Sequence, residues 1–269
     1  MINLSIEKGG LNFGPDFNTN LLKPKDSLFP KFWKNGNLNP IVSRKLIEIA
    51  EGVIQSLDLD HEPEDLIITG SIASYNWHSL SDIDLHILLD FSKINEDMNL
   101  VKRMLDQTRI NWNKKHNIKI AEKEVEIYFQ HYTEPHEANG IWSLNLEKWL
   151  ADPIRLNPEI DLRTTEKKAE AIAQSIEHLY EIFKKEKFKE AYEYAGLIKD
   201  KIARMRSSGL SDEGIYSPEN LAFKMLRNAG FLEKLSSLKI EAYDRMMSVN
   251  LEEGSRNVNY NKIWKDYLK

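Results

Sequence analysis

The chain has 269 residues, 41% of them apolar and 10% aromatic, enough to enclose a core in one large domain or two modest ones. Its 37 basic and 42 acidic side chains leave a formal charge of −5, so the molecule is no polycation and any nucleic-acid partner must be held by a local patch. The lack of cysteine removes disulfide frameworks, thiol nucleophiles and thiolate metal sites. No segment approaches the roughly eighteen apolar residues of a bilayer crossing, so the expectation is a soluble, cytoplasmic protein with no membrane partner.

Residues 1–39 are rich in Gly, Asn, Pro and Lys without a sustained period and read as an irregular arm, its end pinned by Phe29, Phe32 and Trp33. Asn39 then offers an N-cap, Pro40 a first helical residue, and Val42, Leu46, Ile49, Val53 and Leu57 an apolar helical face. "LIITG" reads as a short strand ending at Gly70-Ser71. "DIDLHILLD" reads as a second, with Asp82, Asp84 and His86 on one face and Ile83, Leu85, Ile87 and Leu89 on the other. A helix over 96–113 and a hairpin turning at Ala121 to Lys123 follow. Two prolines in "ADPIRLNPEIDL" mark a boundary, beyond which the pattern is helical.

Two seams of three-four spacing predict an antiparallel helix pair: Leu162, Thr165, Ala169, Ile172, Ile176, Leu179 and Phe183, then Phe188, Ala191, Ala195, Ile198, Ile202 and Met205. Ser217-Pro218 and Gly230 bracket a third helix, and "FLEKLSSLKIEAYDRMM" supplies a fourth. The polar tail after Asn250 carries Tyr260, Ile263, Trp264 and Tyr267, which suit a short docking helix. The expected organisation is an arm over 1–39, an α+β domain over 40–155, a helical domain over 156–250 and a tail over 251–269.

Same-face neighbours on a strand lie roughly 6.6 Å apart, so Asp82 and Asp84 can converge on one point. Two carboxylates facing one small volume repel unless a cation neutralises them, and Mg²⁺ is the hard ion that prefers carboxylate and phosphate oxygen. Gly70 permits close approach of a ligand, and Ser71 offers a hydroxyl and an N–H. A helix opening at "SIASYN" would add N–H groups favouring an anion such as a triphosphate. Glu126, between Val125 and Ile127, is the preferred third acid over Glu124, which lies nearer the turn.

Thr69-Gly70-Ser71, ten residues, then Asp82-Ile83-Asp84-Leu85, with Glu126 on a later strand, resembles the DNA polymerase β-like nucleotidyltransferase superfamily. "GSIASYNWHSLSDIDLH" followed by "VEIYFQHYTEPHE" is most similar to predicted nucleotidyltransferases of large tailed bacteriophages, which implies the host cytoplasm. The resemblance implies a small mixed β-sheet with flanking helices followed by a C-terminal helical bundle. It implies catalytic and metal-binding Asp82, Asp84 and Glu126, with the two aspartates bridging two Mg²⁺ ions about 4 Å apart, for which Mn²⁺ can substitute. Gly70 and Ser71 would hold the phosphates of an NTP, ATP by preference, and Lys199 or Lys201 of the helical domain could reach the same phosphates.

The implied reaction moves a nucleoside monophosphate to a hydroxyl and releases pyrophosphate. An RNA end, a protein side chain and a small molecule all fit as acceptor. Antitoxin-type protein adenylyltransferases share the Gly-Ser/Asp-x-Asp string, and a non-catalytic nucleotide-binding or virion-associated module could keep the same fold. Each residue also has a plainer reading. Lys199 and Lys201 sit in a run of mixed charge that reads by default as a solvated helix face. His86 is more often a hydrogen-bonded neighbour than a ligand, and Tyr75, Trp77 and His78 could stack on a base or simply pack their loop. His131, Glu134 and His136 match no firm zinc spacing.

Overall fold

Asn39 opens the first long helix: its side-chain oxygen accepts from the Ile41 N–H at 2.9 Å, and Pro40 follows at the first helical position. The computed structural model describes residues 17–59, 61–136 and 138–249. The chain forms two compact units: Thr19–Glu159, and Ile160–Lys269 together with Met1–Asn18. Residues 1–16 of the arm and the tail from Asn250, with its expected docking helix, lie outside the described residues.

The first unit begins with a small hairpin, β1 (Trp33–Lys34) and β2 (Asn37–Leu38), inside the segment expected to be irregular. Helix α1 (Pro40–Ser56) follows, then β3 (Asp65–Thr69), β4 (Ile83–Leu89), a turn of helix α2 (Phe91–Ile94), α3 (Met98–Lys115), β5 (Lys119–Ile120), β6 (Lys123–His131), β7 (Ile141–Ser143) and β8 (Lys148–Ala151). The six-stranded sheet has the order β5-β6-β4-β3-β7-β8. Only β4 and β6 pair in parallel, because α2 and α3 carry the chain back across the sheet between them. The turn joining β5 and β6 is made by Ala121 and Glu122, both at positive φ (48° and 69°), as a two-residue hairpin requires.

One sheet face is apolar. Leu66, Ile68, Ile83, Leu85, Ile87, Leu89, Val125 and Ile127 pack with Val42, Leu46, Ala50 and Val53 of α1 and with Phe29, Phe32 and Trp33 of the arm. The stacked Trp33 and Trp149 rings, 4.4 Å apart, fix the small hairpin to β8. Among the described residues the opposite face carries a minor apolar cluster of Ile67, Leu88 and Ile141, leaving room for polar groups. Beyond its short pairing with β5, the outer edge of β6 is closed by a side chain of α3. Asn113 donates to the Ile127 carbonyl at 3.1 Å and accepts from the Ile127 N–H at 3.0 Å. That side chain satisfies an edge that water or another strand would otherwise take.

The second unit contains α4 (Leu162–Lys184), α5 (Phe188–Asp212), α6 (Pro218–Asn228) and α7 (Phe231–Met247). The seams of α4 and α5 are buried through Thr165, Ala169, Ile172, Ile176 and Leu179, and through Ala191, Ala195, Ile198 and Ile202. Asp161 and Ser217 cap α4 and α6, and Gly230 passes through φ 77° between α6 and α7. The molecule is therefore α+β, and no described helix is long and apolar enough to cross a membrane.

Replacing Asn113 by Leu leaves the Ile127 amide and carbonyl unpaired in a buried position. A loss of roughly 2–4 kcal/mol in urea unfolding is expected, against almost none for exposed Asn111→Leu on the same helix.

Candidate metal centre

Three hydrogen-bonded strands bring the site together. Thr69 of β3, Asp84 of β4 and Glu126 of β6 are register partners, and Asp82 lies just before β4 on the same face. One carboxylate oxygen from each of Asp82, Asp84 and Glu126 lies within 4.8 Å of the others, and all three residues are half-buried. Glu124, on the same face, lies opposite Lys119 of β5 and stays out of the group. Three like charges in one half-buried volume oppose one another, and an all-oxygen donor set matches a hard divalent cation. The triad can therefore hold a metal ion, and it is the one such group of His, Asp and Glu among the described residues.

Gly70 gives its side-chain space to Asp84. Its φ is 75°, and a Cβ there would fall 1.8 Å from Asp84 Oδ2. The absent side chain makes room for the aspartate itself, so Gly70 seats the acid against the backbone. Ser71 serves the loop: its hydroxyl donates to Ser81 Oγ at 2.8 Å, and Ser81 Oγ accepts from the His78 N–H at 2.9 Å. This clasp closes the 71–81 loop immediately before Asp82.

The expected helix at "SIASYN" does not form; residues 70–76 run through successive turns. Trp33 Nε1 donates to the Ile72 carbonyl at 2.8 Å, and the Asn76 N–H donates to Ser74 Oγ at 3.2 Å. These are the two groups that an α-helical bond between residues 72 and 76 would need.

Two β6 residues outside the sequence reading support the triad. Lys123 is 4% exposed, and its ammonium donates to the carbonyls of His78 at 2.6 Å and Ser79 at 2.7 Å. It ties down the loop that delivers Asp82. Burial lowers its pKa, with the Glu122 and Asp82 charges opposing that shift. The sequence holds a signal for it, since Lys123 shares strand parity with buried Val125 and Ile127.

Tyr128 donates its hydroxyl to Glu126 Oε2 at 2.7 Å. Its ring stacks on His86 at 4.9 Å and lies under the Arg109 guanidinium at 5.1 Å. Burial raises the Tyr128 pKa, and the Asp84 carboxylate adds to it. His86 is bonded to Gln130 Oε1 at 3.0 Å, and burial pushes its pKa down to about 4, so it is a neutral wall of the site.

Trp77 donates to the Ser27 carbonyl at 2.7 Å and packs on Phe29 at 5.0 Å, while His78 is 4% exposed, so both pack the loop. His131 Nδ1 accepts from the Phe91 N–H at 3.1 Å and Glu134 pairs with Lys102 at 2.7 Å, so His131, Glu134 and His136 build no metal group. Lys199 and Lys201 are exposed on α5. Lys199 reaches Ser236 Oγ at 3.4 Å, while Lys201 lines a groove with Thr164 and Lys168 of α4.

No family model matches the chain, and neither curated proteins nor solved structures give a match.

Gly70→Ala is expected to displace the Asp84 carboxylate and weaken Mn²⁺ binding by at least about tenfold, measured by electron paramagnetic resonance titration. Lys123→Met, which strands two carbonyls of the loop before Asp82, is expected to weaken Mn²⁺ by about tenfold while far-ultraviolet circular dichroism is unchanged.

Proposed function

We propose that the protein is a Mg²⁺-dependent nucleotidyltransferase of the DNA polymerase β-like type, moving a nucleoside monophosphate from an NTP to an acceptor hydroxyl. The observation that carries this reading is the convergence of Asp82, Asp84 and Glu126 oxygens within 4.8 Å, beside a glycine that makes space for one of them. The pairing of two of these acids on adjacent parallel strands of a small mixed sheet supports a fold of that type.

In this reading Asp82, Asp84 and Glu126 hold the metal, which when bound supplies positive charge to the α-phosphate and its leaving group. The acceptor O–H bond breaks, an oxygen–phosphorus bond forms, and the bond from the α-phosphorus to pyrophosphate breaks. Glu126 would complete the metal site or take the hydroxyl proton, while Tyr128 holds its Oε2. Asp84, pressed on Gly70 and paired in register with Thr69 and Glu126, supplies rigidity, and rigid placement is the main protein contribution to phosphoryl chemistry.

Incubation of the full chain with Mg²⁺ and each α-labelled NTP, over RNA and protein acceptor pools, is expected to give label transfer. Asp84→Asn should lower it at least about a hundredfold with circular dichroism unchanged. Transfer that persists in Asp84→Asn, or that occurs with no nucleotide in any pool, overturns the reading.

A further inference from the structure

Helix α1 has a glycine in its interior that its own packing does not call for. Gly52 is exposed, and a Cβ built there would meet nothing within 4 Å. Glycine is the poorest helix former after proline, so the reason for it lies in what the missing side chain leaves open. Beside it runs a trough of about 980 Å³, walled by α1 from Lys45 to Ser56, by the C-terminal half of α3 and by residues 118–121. It contains no residue of the metal centre.

Both walls are helical stripes with spacings of three and four: Lys45, Ile49, Gly52 and Ser56 on α1, and Thr108, Trp112 and Lys115 on α3. The α1 stripe extends for roughly 16 Å, three turns of helix. Val53, Ile118 and Ile120 give the trough an apolar floor that is continuous with the core. The hydroxyls of Ser56 and Thr108 are turned back on their own helices, donating to the Val53 and Met104 carbonyls at 2.6 and 3.0 Å. Trp112 packs on the core with the His116 ring 4.8 Å from its own, so it is a wall and not a platform for a nucleobase.

The rim has the opposite character. Three lining residues, Lys45, Lys115 and Lys119, are exposed lysines, against the single acid Glu48, which pairs with Lys45. Lys115 makes no ion pair with any described residue. An apolar floor under an excess of positive charge is complementary to an apolar surface flanked by carboxylates.

We infer that the trough is a docking site for an acidic amphipathic helix of a partner protein, its apolar stripe on Ile49, Val53 and Ile120 and its carboxylates toward Lys45 and Lys115. Two features favour a helix over a small amphipathic anion. The walls present three turns of helical ridges, into which the ridges of another helix can pack. Gly52 lets a partner backbone approach α1 more closely than any other residue would. The site goes beyond nucleotidyl transfer and does not depend on it.

The test is fluorescence anisotropy of a labelled synthetic helix with leucine at i, i+3, i+4 and i+7 and flanking glutamates, titrated with the full chain. A second peptide carries lysine in place of each glutamate. Saturable binding of the acidic peptide is expected, at least about tenfold tighter than that of the basic one. Gly52→Gln puts a side chain into the trough and should weaken the acidic peptide at least about tenfold. Its melting midpoint should be no lower than that of the wild type, because glutamine suits an exposed helical position better than glycine. Lys45→Glu combined with Lys115→Glu, both exposed, should reverse the preference between the two peptides.

Sodium dodecanoate and a thymidine oligonucleotide are titrated in parallel, and self-association is followed by sedimentation. Failure of the acidic peptide to bind, equal affinity for both peptides, or unchanged affinity in both variants overturns the proposal. Binding of the carboxylate, the oligonucleotide or a second copy in place of the peptide, lost in Gly52→Gln, also overturns it and gives the trough that occupant instead.

Discussion

The mutual repulsion of three carboxylates is the constraint around which the first unit is organised. Asp82, Asp84 and Glu126 are held with oxygens within 4.8 Å, and without a cation that arrangement must be maintained by the rest of the structure. The sheet does this through hydrogen-bonded register: a slip of β6 by one residue against β4 would turn Glu126 into the apolar face, where Leu85 and Ile127 are fully buried. Burial of Ile83, Leu85 and Ile87 therefore fixes the acids as firmly as any contact the carboxylates make themselves.

Supporting groups act on each acid separately. Gly70 yields its side-chain space to Asp84, Lys123 fastens the loop before Asp82, and Tyr128 occupies one oxygen of Glu126. The two β6 supports lie on opposite faces of the strand, Tyr128 beside Glu126 and Lys123 under the loop before Asp82, so a single element both contributes an acid and steadies another. Site and scaffold are not separable here.

How far this was legible in the sequence follows from the range of the interactions involved. The strict alternation in "DIDLHILLD" and "VEIYF" marks Asp82, Asp84 and Glu126, because strand period is a local property. The ends of α1, α4 and α6 were equally readable, since capping needs only a few adjacent residues. The β1–β2 hairpin and the short strands β7 and β8 carry too few residues for a period and depend on the remote Trp33, Trp142 and Trp149 cluster. The turn at 71–76 was read as a possible helix because the bond that prevents it comes from Trp33, far back in the chain.

The crossover between β4 and β6 also sets an order of events during synthesis. Asp82 and Asp84 leave the ribosome well before Glu126, and the strand that bears Glu126 pairs only after α2 and α3 have been made. A nascent chain thus possesses two of the three acids but not the third, and the triad is complete only when the non-local β4–β6 pairing has closed. Closure of the triad in this way marks the β4–β6 pairing, with β7 and β8 still to be added to the sheet.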